Sequence, residues 1–232
     1  MALTGTFDPV AFKESQLAEW QTAAPGWRKW YDVVEAEAAG LVVSRTLVEM
    51  AGLGPGDTVL DIGTGYGEPA LTAARAVMPG GRVIATDIAA DMLAFGRERA
   101  AQAGLEKVEF LEADAETLSF DGSSFDAIIS RQCLQFLPDV ADTGMLAQLV
   151  AEAGFRDVET GTVTAIYETT SPADFTQWIR DVAPPIVNLL KGRPAQTQEH
   201  VWRKVTEALA PLVTAQERLR TENQAILVAA TK

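Results

Sequence analysis

Cysteine, histidine and basic residues are scarce in this sequence. The 232 residues include one cysteine, Cys133, and one histidine, His200. A single cysteine excludes a disulfide framework within the chain and a structural zinc site built from several thiolates. We therefore expect no structural metal, and a core built from the apolar residues, which make up 47% of the chain.

Positive charge is also in the minority. The 19 lysines and arginines face 32 aspartates and glutamates, a formal net charge of -13. Such a surface repels phosphate backbones and anionic lipid headgroups, so we expect neither a nucleic acid nor a membrane surface as partner. No apolar run approaches the roughly 20 residues needed to cross a bilayer. The first residues lack the basic and apolar regions of a secretion signal. The sequence predicts a cytoplasmic monomer or homodimer that acts on a small molecule.

Short apolar, β-branched segments alternate with helical segments from residue 58 onward. This alternation predicts parallel βαβ units, and hence an α/β fold with a Rossmann-like, doubly wound, mostly parallel sheet. Ligands of such sheets bind beyond the carboxyl ends of the strands. The predicted strands are 58–62, 82–86, 108–112 and 125–130, and the predicted intervening helices are 69–77 and 91–103.

Helical patterns precede the first strand and recur late in the chain. Asp8 and Pro9 are typical of a helix start, and Pro25 predicts that this first helix ends there. A second helix is predicted from about residue 27 to 50. Ser171 and Asp174 form a capping-box pattern before proline-punctuated helices that run to about residue 213. We interpret residues 1–232 as one domain, with an N-terminal helical cap (1–56), a ligand-binding core (57–140), and a C-terminal half (141–232) that contains β-rich segments at 158–168 and 225–229 and a helical lid at about 170–213.

A glycine-rich turn follows the first predicted strand. Gly63, Gly65 and Gly67 let backbone N–H groups approach a ligand, and the next helix would present its positive N-terminus. A dinucleotide fingerprint would have its third glycine at position 68, which is Glu68. A carboxylate there opposes a pyrophosphate but is compatible with a cationic ligand. The loop therefore favours S-adenosylmethionine (SAM), which has a sulfonium and an ammonium but no phosphate. A tight turn without a ligand is the alternative for the loop taken alone.

Acidic residues end three consecutive predicted strands. Asp61 lies two residues before the loop, Asp87 ends the second strand, and Asp114 follows the third. An acid at the position of Asp87 accepts ribose hydroxyl groups in nucleoside sites, and one at Asp114 can accept from an adenine amino group. Each acid alone could be a helix cap or a solvated turn. Their shared position at strand ends favours a nucleoside site.

These motifs resemble the class I SAM-dependent methyltransferases. Residues 57–131 are similar to the SAM-binding core of the small-molecule branch that includes the ubiquinone/menaquinone biosynthesis C-methyltransferases. The resemblance implies SAM as cofactor and S-adenosylhomocysteine (SAH) as product. It implies that the loop, with Asp61, Gly63, Thr64, Gly65 and Gly67, holds the methionine end of SAM. Asp87 would bind the ribose, Ile88 and Met92 would pack on the adenine, and Asp114 and Ala115 would lie at the adenine edge. Ser130 and Arg131 would face the methyl group.

The resemblance is interrupted after the fourth strand. Members of the family continue with a helix, a turn and a fifth strand, whereas here Val140 leads almost directly into a segment that resembles the helix after that strand. The fifth strand is therefore missing from this sequence near Val140–Ala141. Either a segment of the protein is omitted from the sequence, or a true deletion exists and another strand closes the sheet. We favour the first explanation, which an intact mass above 24.9 kDa would support.

Aromatic residues in the cap and lid are candidates for substrate contact. They are Trp27, Trp30 and Tyr31 in the cap and Trp178 in the lid; packing against the sheet is the alternative for each. Histidine is the usual general base near neutral pH, so His200 is a candidate base, as is Tyr31. The polar neighbours of His200 favour a solvated helix instead. Methyl transfer needs no nucleophilic side chain, so the absence of a triad or metal cluster is expected.

The sequence thus predicts a SAM-dependent methyltransferase that acts on carbon or oxygen of a small, largely apolar acceptor. Two alternatives remain. One is a protein that binds SAM without transferring methyl. The other is a nicotinamide-dependent oxidoreductase, which Glu68 disfavours.

Overall fold

The central sheet consists of four parallel strands. A computed structural model describes residues 8–121, 124–136 and 156–231. The strand order is β3-β2-β1-β4. The chain therefore moves outward from β1 to β3 and returns to the other side of β1, which places the switch point between β1 and β4. The predicted α/β fold is confirmed. The strands are β1 (Thr58–Ile62), β2 (Arg82–Asp87), β3 (Val108–Glu112) and β4 (Ala127–Ile129).

The register of the sheet sets its acidic strand ends side by side. Asp61 in β1 pairs with Ala85 in β2 and with Ile129 in β4. Asp87 in β2 pairs with Glu112 in β3. Helices α4 (Ala70–Val77) and α5 (Ala90–Gln102) connect β1 to β2 and β2 to β3. Apolar side chains of these strands and helices form the buried core, including Val59, Leu71, Val77, Val83 and Leu93.

Helix α1 (Pro9–Lys29) runs through Pro25, so the prediction that it ends there is wrong. Asp8 caps the helix as predicted, because its Oδ1 accepts from the backbone N–H groups of Val10 and Ala11. A proline within a helix removes one hydrogen bond. Here tertiary packing outweighs that loss. The backbone of α1 at Gly26 lies so close to the carbonyl group of Asp181 that a Cβ on Gly26 would overlap it.

The single helix predicted over 27–50 is divided into three parts. After α1 come α2 (Tyr31–Val34) and α3 (Gly40–Met50). Residues 35–39 separate α2 from α3 and include Glu35, which is 8% exposed. A buried carboxylate needs partners, and the break in the helix lets Glu35 reach them across the fold.

The C-terminal part contains a long hairpin ladder and several helices. β5 (Arg156–Thr169) pairs antiparallel with β6 (Leu219–Thr231) in a separate two-stranded sheet. Between them lie α6 (Pro172–Val182), α7 (Pro184–Asn188) and α8 (Ala195–Ala208). The predicted cap at Ser171 is present, because Ser171 Oγ accepts from the Asp174 N–H at 3.1 Å; the Asp174 carboxylate accepts from the Ser171 hydroxyl at 2.7 Å in place of the backbone N–H of a full capping box.

The missing fifth strand was inferred at Val140–Ala141, which lies outside the described residues. Within the described ranges, β1 is the strand that pairs with β4, and no other strand closes the sheet at this edge. Ile128 in β4 is 54% exposed, although both faces of a parallel sheet are normally covered. Among the helices of the described residues, none combines the length and apolar character needed to span a bilayer.

Candidate active site

A cavity of about 490 Å³ lies at the carboxyl ends of the four parallel strands. This volume suits a small organic ligand. One face of α1 covers the strand ends, and the turn between α6 and α7 closes the side. Most of the residues predicted to bind the cofactor line this cavity: Gly63, Thr64, Gly65, Asp87, Ile88, Met92, Asp114, Ala115 and Arg131.

The glycine turn after β1 requires its glycines. Gly63 has φ +70°, and a Cβ there would overlap the Cys133 side chain. Gly67 has φ +102° and packs against Leu71 and Gly96. It does not line the cavity but lets α4 and α5 approach each other. Steric fit thus reinforces the backbone preference of these positions for glycine.

Asp61 lies directly beneath the turn and is fully buried. Its Oδ2 accepts from the Ala70 N–H at 3.0 Å, at the start of α4. Its Oδ1 and the hydroxyl of Thr64 make no well-formed hydrogen bond among the described residues, although the two side chains lie close enough for Thr64 to oppose the rise in the Asp61 pKa. Burial raises the pKa of Asp61 to about 7. An unpaired carboxylate oxygen in this environment fits a cationic group of a ligand, such as an ammonium.

Asp87 holds the turn and keeps acceptor capacity. Its Oδ2 accepts from the Gly65 N–H at 2.8 Å, and its Oδ1 accepts from the Ala89 N–H at 2.9 Å. Burial raises the pKa of this carboxyl group. A carboxylate accepts about four hydrogen bonds, so two positions suit the hydroxyl groups of a ribose.

Asp114, at the end of β3, forms an ion pair with α1. Lys13 Nζ lies 2.6 Å from Asp114 Oδ2 and 2.5 Å from Glu116 Oε2. Partial burial opposes ionisation of Asp114, but the hydrogen bond and positive charge of Lys13, together with the Glu116 N–H, outweigh it and lower the pKa. This pair connects the N-terminal half of α1 to the segment that follows β3.

Glu68 has partners within the protein. Its carboxylate accepts from Thr72 Oγ1 at 2.7 Å and from Arg99 Nη2 at 3.3 Å. Arg99 also donates to the Tyr66 carbonyl at 2.9 Å and to the Tyr31 hydroxyl. Glu68 lines the cavity, yet its charge is already balanced by Arg99. Glu68 therefore does not need a cationic ligand to balance its charge.

A buried ion pair supports the wall next to β4. The guanidinium of Arg131 contacts both Glu35 oxygens, at 2.5 Å and 3.2 Å, and the two side chains are 7% and 1% exposed. Arg131 also donates to Ser44 Oγ, the Gly40 carbonyl and the Tyr66 hydroxyl, at 2.8–2.9 Å. The Tyr66 hydroxyl donates to Glu35 at 2.5 Å. Burial and the neighbouring Glu35 raise the pKa of Tyr66 well above its usual value.

Three of the predicted cofactor ligands, Asp61, Gly67 and Ser130, lie behind the cavity rather than in its lining. Asp61 is beneath the glycine turn, as described above. Ser130 donates from its hydroxyl to the Ile62 carbonyl at 2.8 Å. Ser130 thus joins the ends of β1 and β4 instead of facing the cavity.

Of the predicted substrate-contacting aromatics, Trp27 lines the cavity and the other three lie elsewhere. Trp30 Nε1 donates to Asp181 at 2.7 Å. Tyr31 packs beneath the Arg99 guanidinium, 4.1 Å from its ring centroid. Trp178 is 7% exposed and packs against Tyr167. Packing explains these three positions.

Neither candidate base lines the cavity, although the Tyr31 ring packs against that of Tyr66, which does. His200 is exposed on α8, with its ring Nδ1 2.8 Å from Arg203 Nη2. Burial raises the pKa of Tyr31, which opposes its action as a base. Cys133 lines the cavity, and burial raises the pKa of its thiol to about 12.

The sequence prediction included Trp27 but not the other α1 side chains that line the cavity. Phe12, Gln16, Trp20 and Trp27 project from one helical face, and Lys13 lies beside them. Their spacing of four, four and seven residues is a helical periodicity that the sequence displays. Phe136 was not predicted, and the α6–α7 turn was predicted only as part of the lid at about 170–213; the tertiary fold brings both to the strand ends.

Comparison with known proteins agrees with this fold. Residues 59–152 match the family model described as a methyltransferase domain. An uncharacterized protein of Mycobacterium tuberculosis is 36% identical over 134 residues, which cover 58% of this chain and 47% of that protein. A ubiquinone/menaquinone biosynthesis C-methyltransferase of Pseudomonas putida is 40% identical over 85 residues, 36% of this chain and 33% of that protein. The chain thus spans half or less of the length of these relatives.

A solved structure extends the likeness over nearly the whole chain. A phosphoethanolamine N-methyltransferase of Haemonchus contortus, solved with SAM, matches 98% of this chain and 60% of its own with a TM-score of 0.58. The sequences are 17% identical, so this match speaks for the fold alone.

Proposed function

We propose that this chain, which contains a domain of the class I SAM-dependent methyltransferase family, binds SAM in the strand-end cavity and transfers its methyl group to a small, largely apolar acceptor. The observation that carries the proposal is the geometry of the acids. Asp61, Asp87 and Asp114 lie at or beside the ends of β1, β2 and β3, and the latter two line one cavity. The family match over residues 59–152 supports SAM as the ligand of this arrangement.

The lining fits the parts of SAM in order along the sheet. Asp114 and Ala115 at β3 would face the adenine, with Ile88 and Met92 packing on its ring. Asp87 at β2 would accept the ribose hydroxyl groups. At β1 the Thr64 hydroxyl lines the cavity and would lie beside the methionine ammonium, with the buried Asp61 carboxylate directly behind it. When bound, SAM supplies a methyl group made electrophilic by the sulfonium.

The acceptor side of the cavity is apolar. Trp20 and Phe136 meet edge to face, with ring centroids 5.0 Å apart, and the α6–α7 turn brings Val182, Pro185 and Ile186 to the same cavity. Such a wall excludes water and orients an apolar acceptor toward the methyl group. The acceptor atom forms its bond to the methyl carbon as the sulfonium–methyl bond breaks, and the electron pair remains on sulfur.

We further propose that the acceptor ionises without help from a protein base. Among the described residues at the β4 edge, Arg131 is paired with Glu35, and burial raises the pKa of Cys133 to about 12. Neither side chain accepts a proton at neutral pH. This favours acceptors that form an anion on their own, such as phenols or enols, with methylation at oxygen or at the adjacent carbon.

Calorimetric titration with SAM, SAH and NADH tests the cofactor. We expect micromolar binding of SAM and SAH and no binding of NADH. Methyl-labelled SAM and a panel of phenols, quinols and β-dicarbonyl compounds then test transfer. Label in an acceptor supports methyl transfer. Tight SAM binding without transfer to any acidic acceptor favours a SAM-binding protein without catalysis, and NADH binding contradicts the proposal.

A further inference from the structure

Helix α1 contributes a cavity-lining side chain that carries an unpaired hydrogen-bond donor. Trp27 lines the cavity, and its indole Nε1 is buried without an acceptor among the described residues. Burying an N–H group without a partner is unfavourable, so an acceptor supplied by a ligand in the cavity would stabilise this side chain.

The position of Trp27 along the cavity follows from two contacts of α1. Lys13 binds Asp114 at the end of β3. Trp27 stacks on Tyr66 in the turn after β1, with ring centroids 5.4 Å apart and an angle of 26°. Fourteen residues of helix separate the two, a rise of about 21 Å. Trp27 therefore lies at the β1 end of the cavity, opposite the end where Asp114 would meet adenine.

The unpaired polar atoms at that end are complementary to an amino acid. The Thr64 hydroxyl lines the cavity there, with the Asp61 carboxylate behind it, and neither Asp61 Oδ1 nor the Thr64 hydroxyl makes a well-formed hydrogen bond among the described residues. These atoms suit the ammonium group of an amino acid. The α-carboxylate of the same amino acid would need a hydrogen-bond donor. Arg131 is the nearby cation in the lining, and its terminal nitrogens already bind Glu35, Ser44, Tyr66 and the Gly40 carbonyl. Moving them would leave the buried Glu35 charge unpaired.

We infer that the Trp27 Nε1–H donates a hydrogen bond to the α-carboxylate of the bound cofactor. This inference rests on the proposed function. Trp27 is then a cofactor-positioning residue rather than a contact of the acceptor. A neutral donor on a rigid ring suits this role, because it fixes the carboxylate without adding a second positive charge near the methyl-donating sulfonium.

The variant Trp27→Phe tests the inference, since it keeps the ring stack on Tyr66 and removes the N–H. Three ligands separate the contributions in calorimetric titrations: SAH, decarboxylated SAH, which keeps the amine, and 5′-methylthioadenosine, which lacks both groups. We expect Trp27→Phe to weaken SAH binding roughly 10- to 100-fold, the usual effect of losing a hydrogen bond to a charged group. Binding of the other two ligands should change by less than about threefold.

Trp20→Phe is the matched control. Trp20 lines the same cavity from the same helix and loses the same part of its ring. Its effect on the three ligands should be equal. Equal weakening of all three by Trp27→Phe would assign Trp27 to packing and overturn the inference, as would unchanged SAH binding. If the unsubstituted protein bound none of the three, the proposed function itself would be contradicted.

Discussion

Replacing Glu35 by alanine should destabilise the fold far more than an ordinary loss of a surface charge. The Glu35 side chain is 1% exposed and accepts from both terminal nitrogens of Arg131 and from the Tyr66 hydroxyl. Without it, the Arg131 cation stays buried with neutral acceptors only. Breaking a buried pair in this way costs about 3–5 kcal/mol. For a chain of this size, that lowers the melting temperature by about 6–20 °C.

Glu37→Ala is the matched control for Glu35→Ala. Glu37 forms an ion pair with Arg45, but these side chains are 71% and 49% exposed. Surface pairs contribute about 0–1 kcal/mol. Urea unfolding followed by tryptophan fluorescence and thermal unfolding by calorimetry measure both variants. The double variant Glu35→Leu with Arg131→Met should recover much of the loss, because it removes both buried charges. If Glu35→Ala and Glu37→Ala differ by less than about 1 kcal/mol, the account of the buried pair is wrong.

Three further predictions concern the strand-end cavity. The pKa of Asp61 rises from 3.8 to about 7 on folding, so the folded state holds this proton more tightly than the unfolded state. Between pH 4 and pH 8, the unfolding free energy of the wild type should therefore fall relative to that of Asp61→Asn by up to about 4 kcal/mol. If urea unfolding gave the same difference in unfolding free energy at both pH values, the prediction would be contradicted. Gly63→Ala should abolish SAH binding and destabilise the protein by at least about 2 kcal/mol more than Gly52→Ala. Both positions have positive φ (+70° and +63°), but only a Cβ at position 63 would meet a neighbour, Cys133. Equal losses of unfolding free energy in the two variants would show that backbone strain alone matters. Lys13→Met should change the unfolding free energy by less than about 1 kcal/mol, because the ion pair of Lys13 is partly exposed. The same variant should lower the salt dependence of SAH binding, measured by calorimetry. A large loss of stability would instead show that the pair anchors α1.

Local sequence patterns were enough to predict the parallel sheet and the acidic residues near its strand ends. β1 and β3 have the predicted bounds, because short β-branched segments between glycine-rich turns have few alternatives to a buried parallel strand. The positions of Asp61, Asp87 and Asp114 at or just after strand ends were predictable for the same reason, because each predicted apolar segment shows where its strand ends. The glycine turn was predictable for a similar reason, as Gly63, Gly65 and Gly67 all adopt positive φ.

Other features depended on contacts between residues far apart in the sequence. The continuation of α1 through Pro25 depends on packing against Asp181, and the break before Gly40 lets Glu35 reach Arg131. Such pairs lie about 95 to 155 positions apart, and no local pattern encodes which partner a buried charge will find.

The amino-acid sequence by itself determined the parallel sheet, the glycine turn and the acids that follow the strands, because each depends on the conformational preferences of neighbouring residues. Only the tertiary structure decided which side chains surround the cavity. It brought Trp27 over the turn, enclosed Trp30 and Trp178 in packing contacts, and left His200 in solvent. An aromatic or titratable residue acquires its role from its burial and its partners, and these are set by the packing of helices on the sheet rather than by the order of residues in the chain.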